Sequence, residues 1–190
     1  MSDSSDNEYV DNFVVEEVTS DDSSNYSLPD DIPMDPVTLS YWFMQNFQLT
    51  YEERLHLMKL DSVIERLRLE LKFLATERLL CCAMCKAELT NQKQVFAMSK
   101  DGVQSNYCNP NGHVFETVTV LTVKNFNLVG SSSQEFSWFP GYLWTIMQCR
   151  GCRSHIGWKF TSDFLHPRAF YGLAKSGLDI VKHSQVNDSS

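Results

Sequence analysis

Between residues 36 and 76 the apolar residues recur every three or four positions, and from Cys81 onward they fall in short β-branched and aromatic runs. The first pattern predicts helices and the second strands. Asp35-Pro36 supplies a helix cap and a proline suited to the first helical position, so a helix is expected over Val37 to Asn46. Thr50 with Glu53 forms a capping box that opens Tyr51 to Leu60, and Ser62 with Glu65 opens a third helix to about Ala75. Along that helix Ile64, Leu67, Leu71 and Leu74 share one face, with Arg66, Arg68 and Glu70 away from it. The expectation is that Leu67, Leu71 and Leu74 pack this small helical bundle onto the domain that follows.

Strands are expected at Val95 to Met98 and Val114 to Val123, with one face of the second wetted through Thr117, Thr119 and Thr122. Asn109 to Gly112 and Pro140-Gly141 are turn signals, and Gly130 to Ser133 reads as a flexible loop. His166 to Ala174 is expected to close the sheet, and the chain should fray from about Asn187. The class is mainly β with an N-terminal helical segment.

The 190 residues suit one domain with an added element, and 43% hydrophobic content suffices for a core. The net charge of −8 is uneven: residues 1–35 hold eleven of the 24 acidic residues and no Lys or Arg, leaving 13 acidic against 16 basic residues elsewhere. A balance near +3 with no arginine-rich stripe argues against a nucleic-acid surface. Residues 1–30 are Ser-, Asp- and Asn-rich and read as a disordered acidic tail. No run is long and apolar enough for a membrane span, and Met1 to Asp6 lack the basic start of a signal peptide. The expected location is the cytoplasm or nucleus, where cysteines serve as thiols or metal ligands.

Those cysteines carry the chemistry. Cys82-x-x-Cys85 and Cys149-x-x-Cys152 are two knuckles suited to one tetrahedral zinc. With all four positions filled by sulfur the metal is structural, so a zinc hydrolase is disfavoured. Cys81 adds no ligand, and Cys108 is expected in the core. His155 reads as a hydrogen-bonded structural histidine rather than a catalytic one, and His56 and His113 as ordinary. Trp138 and Trp144 flank Pro140-Gly141, so a turn can set both indoles on one side, and Trp158 can join them from the strand after the second knuckle. Three aromatic faces of this kind make a cage for a small ligand.

Several motifs together resemble the thalidomide-binding (CULT) domain of the cereblon family. They are Cys82-x-x-Cys85, Asn109-Pro110, Phe136-Ser-Trp-Phe-Pro-Gly-Tyr-x-Trp144, Cys149-x-x-Cys152, Ser154-His-Ile-Gly-Trp-Lys-Phe160 and Pro167-x-x-Phe170-x-Gly172-Leu173. Ser40-Tyr-Trp42, Glu53 to Lys59 and Val63 to Arg68 resemble the closing helices of the family's Lon-like domain. The resemblance spans about residues 30 to 175. It implies a helical segment at 31–80, a CULT domain at 81–175 and a C-terminal segment at 176–190. It also implies a β-tent of two antiparallel sheets held by one Zn2+ on Cys82, Cys85, Cys149 and Cys152.

For function it implies that Trp138, Trp144 and Trp158 cage a glutarimide or succinimide ring, with Phe160 at the base and Asn109 and Pro110 at the rim. The imide's polar groups would meet the backbone of Phe136, Ser137 and Trp138. Phe136 stands where the family usually has histidine. The resemblance implies as partner an adaptor of a cullin-RING ubiquitin ligase, although of the Lon-like domain only the closing helices are recognisable in this sequence. B-type methionine sulfoxide reductases share the β-tent and its zinc, but they need a cysteine in the last strands, and none follows Cys152. The remaining alternative is an aromatic-cage reader of methylated ammonium groups, with Glu135 as the nearby carboxylate.

Overall fold

The computed structural model describes residues 32–99 and 102–182. The tail expected to be disordered over 1–30 and the fraying expected from about Asn187 lie outside them. Asp35 caps the first helix, α1 (Pro36–Asn46), by accepting from the amide and hydroxyl of Thr38 at 2.9 and 2.8 Å. These bonds hold the Asp35 carboxyl below its ordinary value. Thr50 and Glu53 close the reciprocal capping box of α2 (Tyr51–Met58), and Ser62 caps α3 (Val63–Leu74). None of the helices among the described residues is long and apolar enough to cross a membrane.

The third helix faces the opposite way from its apolar stripe. Ile64, Leu71 and Leu74 are 64%, 65% and 53% exposed, whereas Arg66 and Glu70 are buried. Leu69 and Phe73 share that inner side and pack on Phe43, Met44, Leu49 and Leu57. The cause is a polar link to α1. Arg66 Nε donates to Ser40 Oγ at 2.6 Å, Ser40 Oγ donates to Glu70 Oε1 at 2.7 Å, and Arg66 Nη1 donates to the Leu60 carbonyl at 2.6 Å. Burial pushes the Glu70 carboxyl up, and Ser40 and Arg66 only partly offset it.

Turning the helix would bury leucines worth about 1.5–3 kcal/mol each. It would also break a buried pair at about 3–5 kcal/mol and displace Leu69 and Phe73. The observed face wins. Leu57→Ala should therefore lower stability by about 2–5 kcal/mol and Leu71→Ala by less than about 0.5 kcal/mol in denaturant melts. A loss at Leu71 equal to that at Leu57 would put the stripe back in the core.

Strands begin at Arg78, slightly before the expected border. β1 (Arg78–Cys82) is the centre of an antiparallel sheet, between β2 (Glu88–Asn91) and a final strand, Leu178–Lys182. The C-terminal segment thus contributes an edge of the fold. The second sheet contains β3 (Gln104–Cys108), β4 (Val114–Val120), β5 (Phe126–Ser133), β6 (Leu143–Cys149), β7 (His155–Thr161) and β8 (Ala169–Ala174). Their order is β3-β4-β8-β7-β6-β5, all antiparallel, and Leu178–Lys182 is β9. This is the two-sheet, mainly β fold that the resemblance implies.

Local departures have local reasons. Val95 to Met98 makes only a bridge, Val95 to Val120, after a 3-10 turn at Gln92–Gln94. The Thr117 and Thr119 face of β4 is buried rather than wet, with the Thr119 hydroxyl donating to the Phe96 carbonyl. Gly130 to Ser133 is the end of β5 rather than a loop: Val129 and Ser133 pair with Ile146 and Trp144 of β6, and the residues between them make a bulge. Of His166 to Ala174, Ala169–Ala174 forms β8, which lies inside the sheet between β4 and β7 rather than closing its edge, and His166 to Arg168 form the bend before it.

Helices and the smaller sheet are joined through Glu53. Its Oε1 pairs with the fully buried Arg78 at 3.2 Å and with Lys182 at 2.9 Å. The Arg78 guanidinium also lies 5.5 and 5.4 Å from the rings of Phe47 and Phe73. Burial pushes the Glu53 carboxyl up, but Lys182, the Thr50 amide and Arg78 outweigh it and leave the carboxyl below its ordinary value. A folded-state pKa below the unfolded one gives stability that is present above the unfolded value and lost as pH falls through the folded one. Glu53→Gln should thus cost about 3–5 kcal/mol at neutral pH, because it leaves Arg78 unpaired, and progressively less below about pH 4. An equal cost at pH 3 and pH 7, measured by urea unfolding, would contradict a held Glu53 anion.

Candidate ligand pocket and metal centre

The two cysteine knuckles are built alike. Cys82 ends β1 and Cys149 ends β6. In each, the amide four residues on returns to the first cysteine's carbonyl: Lys86 to Cys82 at 2.9 Å, and Arg153 to Cys149 at 2.8 Å. The first cysteine's own amide donates one residue further, to Ala87 at 2.8 Å and to Ser154 at 2.9 Å. Lys86 and Arg153 both take a φ of 61°, the left-handed turn that closes each knuckle.

All four Sγ atoms lie within 4.8 Å of one another, with Cys82 to Cys152 and Cys85 to Cys149 each at 3.5 Å. A tetrahedral zinc with Zn–S bonds of about 2.3 Å requires sulfurs roughly 3.8 Å apart, so the set fits. A Cβ on Gly151 would stand 3.3 Å from Cys85 Sγ, which explains a glycine inside the knuckle. The Ala87 amide pulls the Cys85 thiol down, but the three thiols beside it push it up to about 12. Bonds from Ser154 hold Cys152 at about 6. Sulfurs this close cannot all ionise without a cation among them, and zinc supplies that charge. The metal joins β1 of the smaller sheet to β6 of the larger, above a core that includes Leu89, Val118, Met147, Ile156 and Leu173.

The indoles gather on the opposite side of the larger sheet's middle. Trp144 pairs across to Phe160 and Ile146 to Trp158, so β6 and β7 present all four on one face. Trp138 arrives from the preceding loop. Its ring meets Trp158 edge-on, with centroids 4.6 Å apart at 70°, and stacks on Tyr107 at 5.0 Å. The loop is aimed by a turn at Phe139 to Tyr142, where the Tyr142 amide bonds the Phe139 carbonyl at 3.0 Å. Gly141 takes a φ of 88° there, and a Cβ would fall 2.6 Å from Leu165 Cδ1. Trp138 Nε1 donates to the Cys108 carbonyl at 3.0 Å and Trp144 Nε1 to the Glu135 carbonyl at 2.8 Å. Both indoles are fixed in orientation, Trp138 with one face against Tyr107, and both line the cavity.

That cavity measures about 500 Å³. Asn109, Pro110, Phe136, Trp138, Trp144, Trp158 and Phe160 all line it, as do Phe115, Ile146 and His155. No Asp, Glu, Lys or Arg is among these residues. Burial pushes the His155 imidazole below its ordinary value, against a weaker pull from the Gly157 backbone, so its ring is neutral at physiological pH. Phe136 has a φ of 56°, a strained conformation for a bulky residue and a recurrent mark of binding sites.

Ser137, also expected at the site, is not in the lining; its hydroxyl donates to the Phe139 carbonyl at 3.1 Å and shapes the loop instead. Cys108 is exposed rather than in the core, because β3 ends there at the sheet edge. Sequence reasoning passed over Phe115, Ile146 and the position of His155. Alternation with Trp144 marks Ile146, whereas Phe115 arrives from β4 by tertiary packing, its ring 4.9 Å from Trp158.

Residues 78–189 match the family described as Yippee zinc-binding/DNA-binding/Mis18, centromere assembly. Among curated proteins, zebrafish (Danio rerio) cereblon is 43% identical over 150 residues, 77% of this chain and 35% of the relative. Chicken (Gallus gallus) cereblon is 41% identical over 150 residues, 77% and 34%. Drosophila melanogaster cereblon is 42% identical over 163 residues, 83% and 28%. The chain spans about a third of the length of these relatives. With four sulfurs in zinc geometry and a family match across the whole β domain, the chain belongs to the Yippee-Mis18 family of zinc-binding proteins, as a homologue of cereblon.

Proposed function

We propose that the chain is a binding module that captures neutral cyclic imides, glutarimide or succinimide, in the three-tryptophan cavity. The ring could belong to a thalidomide-like compound or to an imide-ended protein. The observation that carries this reading is an uncharged cavity with indole faces on several sides and a strained, polar backbone at its edge. Neither the Phe136 carbonyl nor the Trp138 amide makes a backbone hydrogen bond among the described residues. One acceptor and one donor are therefore available to an imide's N–H and C=O, while its methylenes rest on the indoles. Each polar group left unpaired in such a place costs about 1–3 kcal/mol, so the site favours imides over plain hydrocarbons. The metal takes no part, because four sulfurs complete its coordination, and the module is read as a binder and not an enzyme.

Similarity to cereblon supports a further role as substrate receptor of a cullin-RING ubiquitin ligase; the cytoplasm or nucleus is proposed as its place from the cysteine usage alone. Co-purification with a ligase adaptor tests that role separately from imide capture. For capture itself, a glutarimide compound and a trimethylammonium compound should be titrated against the protein while indole fluorescence is followed. The imide should bind and quench, and the ammonium should bind far more weakly. Tighter ammonium binding would make the cage a cation reader. Phe136→His should change imide affinity by less than about threefold, because backbone rather than side chain meets the ring.

A further inference from the structure

One wall of the cavity stands on a loop. Trp144, Trp158 and Phe160 belong to paired strands, whereas Trp138 lies between β5 and β6, two residues after the strained Phe136. A loop side chain keeps rotamer freedom unless something outside its own segment holds it. Trp158 meets Trp138 only edge-on, at 70°, and the Phe115 and Phe160 rings are farther off, at 5.9 and 6.5 Å.

The support comes from β3, an edge of the larger sheet. The Tyr107 ring stacks on the Trp138 indole at 5.0 Å and 12°. Tyr107 does not line the cavity, so it covers the face of Trp138 turned away from it. Phe139 tilts against the same Tyr107 ring at 5.2 Å, and it packs edge-on against the buried Phe160 and Phe170 at 4.8 and 4.9 Å. Tyr107 is thus clasped between Trp138 and Phe139 and tied through Phe139 to the aromatic core. The next residue of β3 adds the Cys108 carbonyl, which accepts from Trp138 Nε1. Across the ladder Tyr107 pairs with Phe115, a lining residue whose ring is 4.9 Å from Trp158.

We propose that Tyr107 is a positioning residue of the cage: stacked on the outer face of Trp138, it holds that indole as a standing wall. Without this support the indole would fold toward Trp158 and Phe160, burying apolar area and filling the space a ligand needs. Tyr107 touches no ligand and acts through Trp138. The proposal rests on the cavity being the imide site, and one arm of its test needs no ligand.

That arm is exchange of the indole N–H protons, followed by NMR on the zinc-loaded, full-length chain, with the Trp138 signal identified by its loss in Trp138→Phe. Tyr107→Leu keeps apolar bulk but removes the flat ring. It should speed exchange at Trp138 by about tenfold or more. The Trp144 N–H, bonded to the Glu135 carbonyl, should exchange as in the wild type. In calorimetric titration Tyr107→Leu should weaken glutarimide binding by about three- to tenfold. Tyr107→Phe retains the ring and should keep both quantities within about twofold of the wild type. Neither change should move the thermal transition of the zinc-held domain. Unchanged Trp138 exchange in Tyr107→Leu would overturn the proposal, as would a folded Tyr107→Leu protein that binds glutarimide like the wild type. Tyr107→Phe as impaired as Tyr107→Leu would overturn it too, because stacking would not be the cause. If the wild type binds no glutarimide, the imide reading falls, and the exchange arm still decides whether Tyr107 holds Trp138.

Discussion

Stripping zinc should abolish the folded β domain outright. The metal joins one strand of each sheet, Cys82 and Cys85 on the smaller side and Cys149 and Cys152 on the larger. Zinc binding in small four-ligand domains contributes about 10–16 kcal/mol, which matches or exceeds the roughly 5–15 kcal/mol by which a whole domain is stable. The ion pair that joins the two sheets near the knuckles among the described residues, Lys124 just before β5 with Glu88 of β2 at 2.8 Å, is largely exposed and contributes little. Excess chelator, or Cys149→Ser, should erase the cooperative thermal transition and the strand signal over 78–182. Metal analysis should find one zinc per chain. A cooperative transition that survives in fully chelated protein would contradict a structural zinc.

Trp144→Ala and Trp158→Ala should each reduce imide affinity by a hundredfold or more, equivalent to about 3 kcal/mol or more. Each removes a whole wall. Trp158 is the centre of the aromatic cluster, in ring contact with Trp138, Phe115 and His155. Trp144 is partly exposed and carries less of the core, so its substitution should leave melting nearly unchanged. Calorimetric titration beside a thermal melt separates the two effects. A Trp144→Ala protein that melts normally and still binds imide would remove that indole from the site.

What could be read along the chain was whatever its own neighbours settle. Asp35 with Thr38, Thr50 with Glu53, and the cysteine knuckles are contacts over two to four residues, and each formed as spacing predicts. The facing of α3 was not legible, because it is set by Ser40, 26 and 30 residues from Arg66 and Glu70. Only once that hydroxyl bridges the pair does a polar face become the buried one. Leu178–Lys182 became a strand because β1, far earlier in the chain, offers it an edge. Ser133 is likewise held by pairing with Trp144 on β6, so the weak strand formers before it are carried as a bulge. In the cavity, the turn at Pro140-Gly141 marked Trp138 and Trp144, and the strand expected after the second knuckle marked Trp158. Phe115 needed the strand order β4-β8-β7-β6 to become their neighbour, and His155 the register shift within β7 opposite Met147 and Gln148.

Imide capture rests on one donor and one acceptor at the cage edge, so the most direct measurement compares glutarimide with N-methylglutarimide by calorimetric titration. The two differ by a single N–H, the group that would meet the Phe136 carbonyl. Capture as proposed predicts that glutarimide binds and that methylation weakens binding by about ten- to a hundredfold, the equivalent of roughly 1–3 kcal/mol for a buried hydrogen bond lost. Equal affinity for both, or no binding of glutarimide to a zinc-loaded, folded chain, would contradict it.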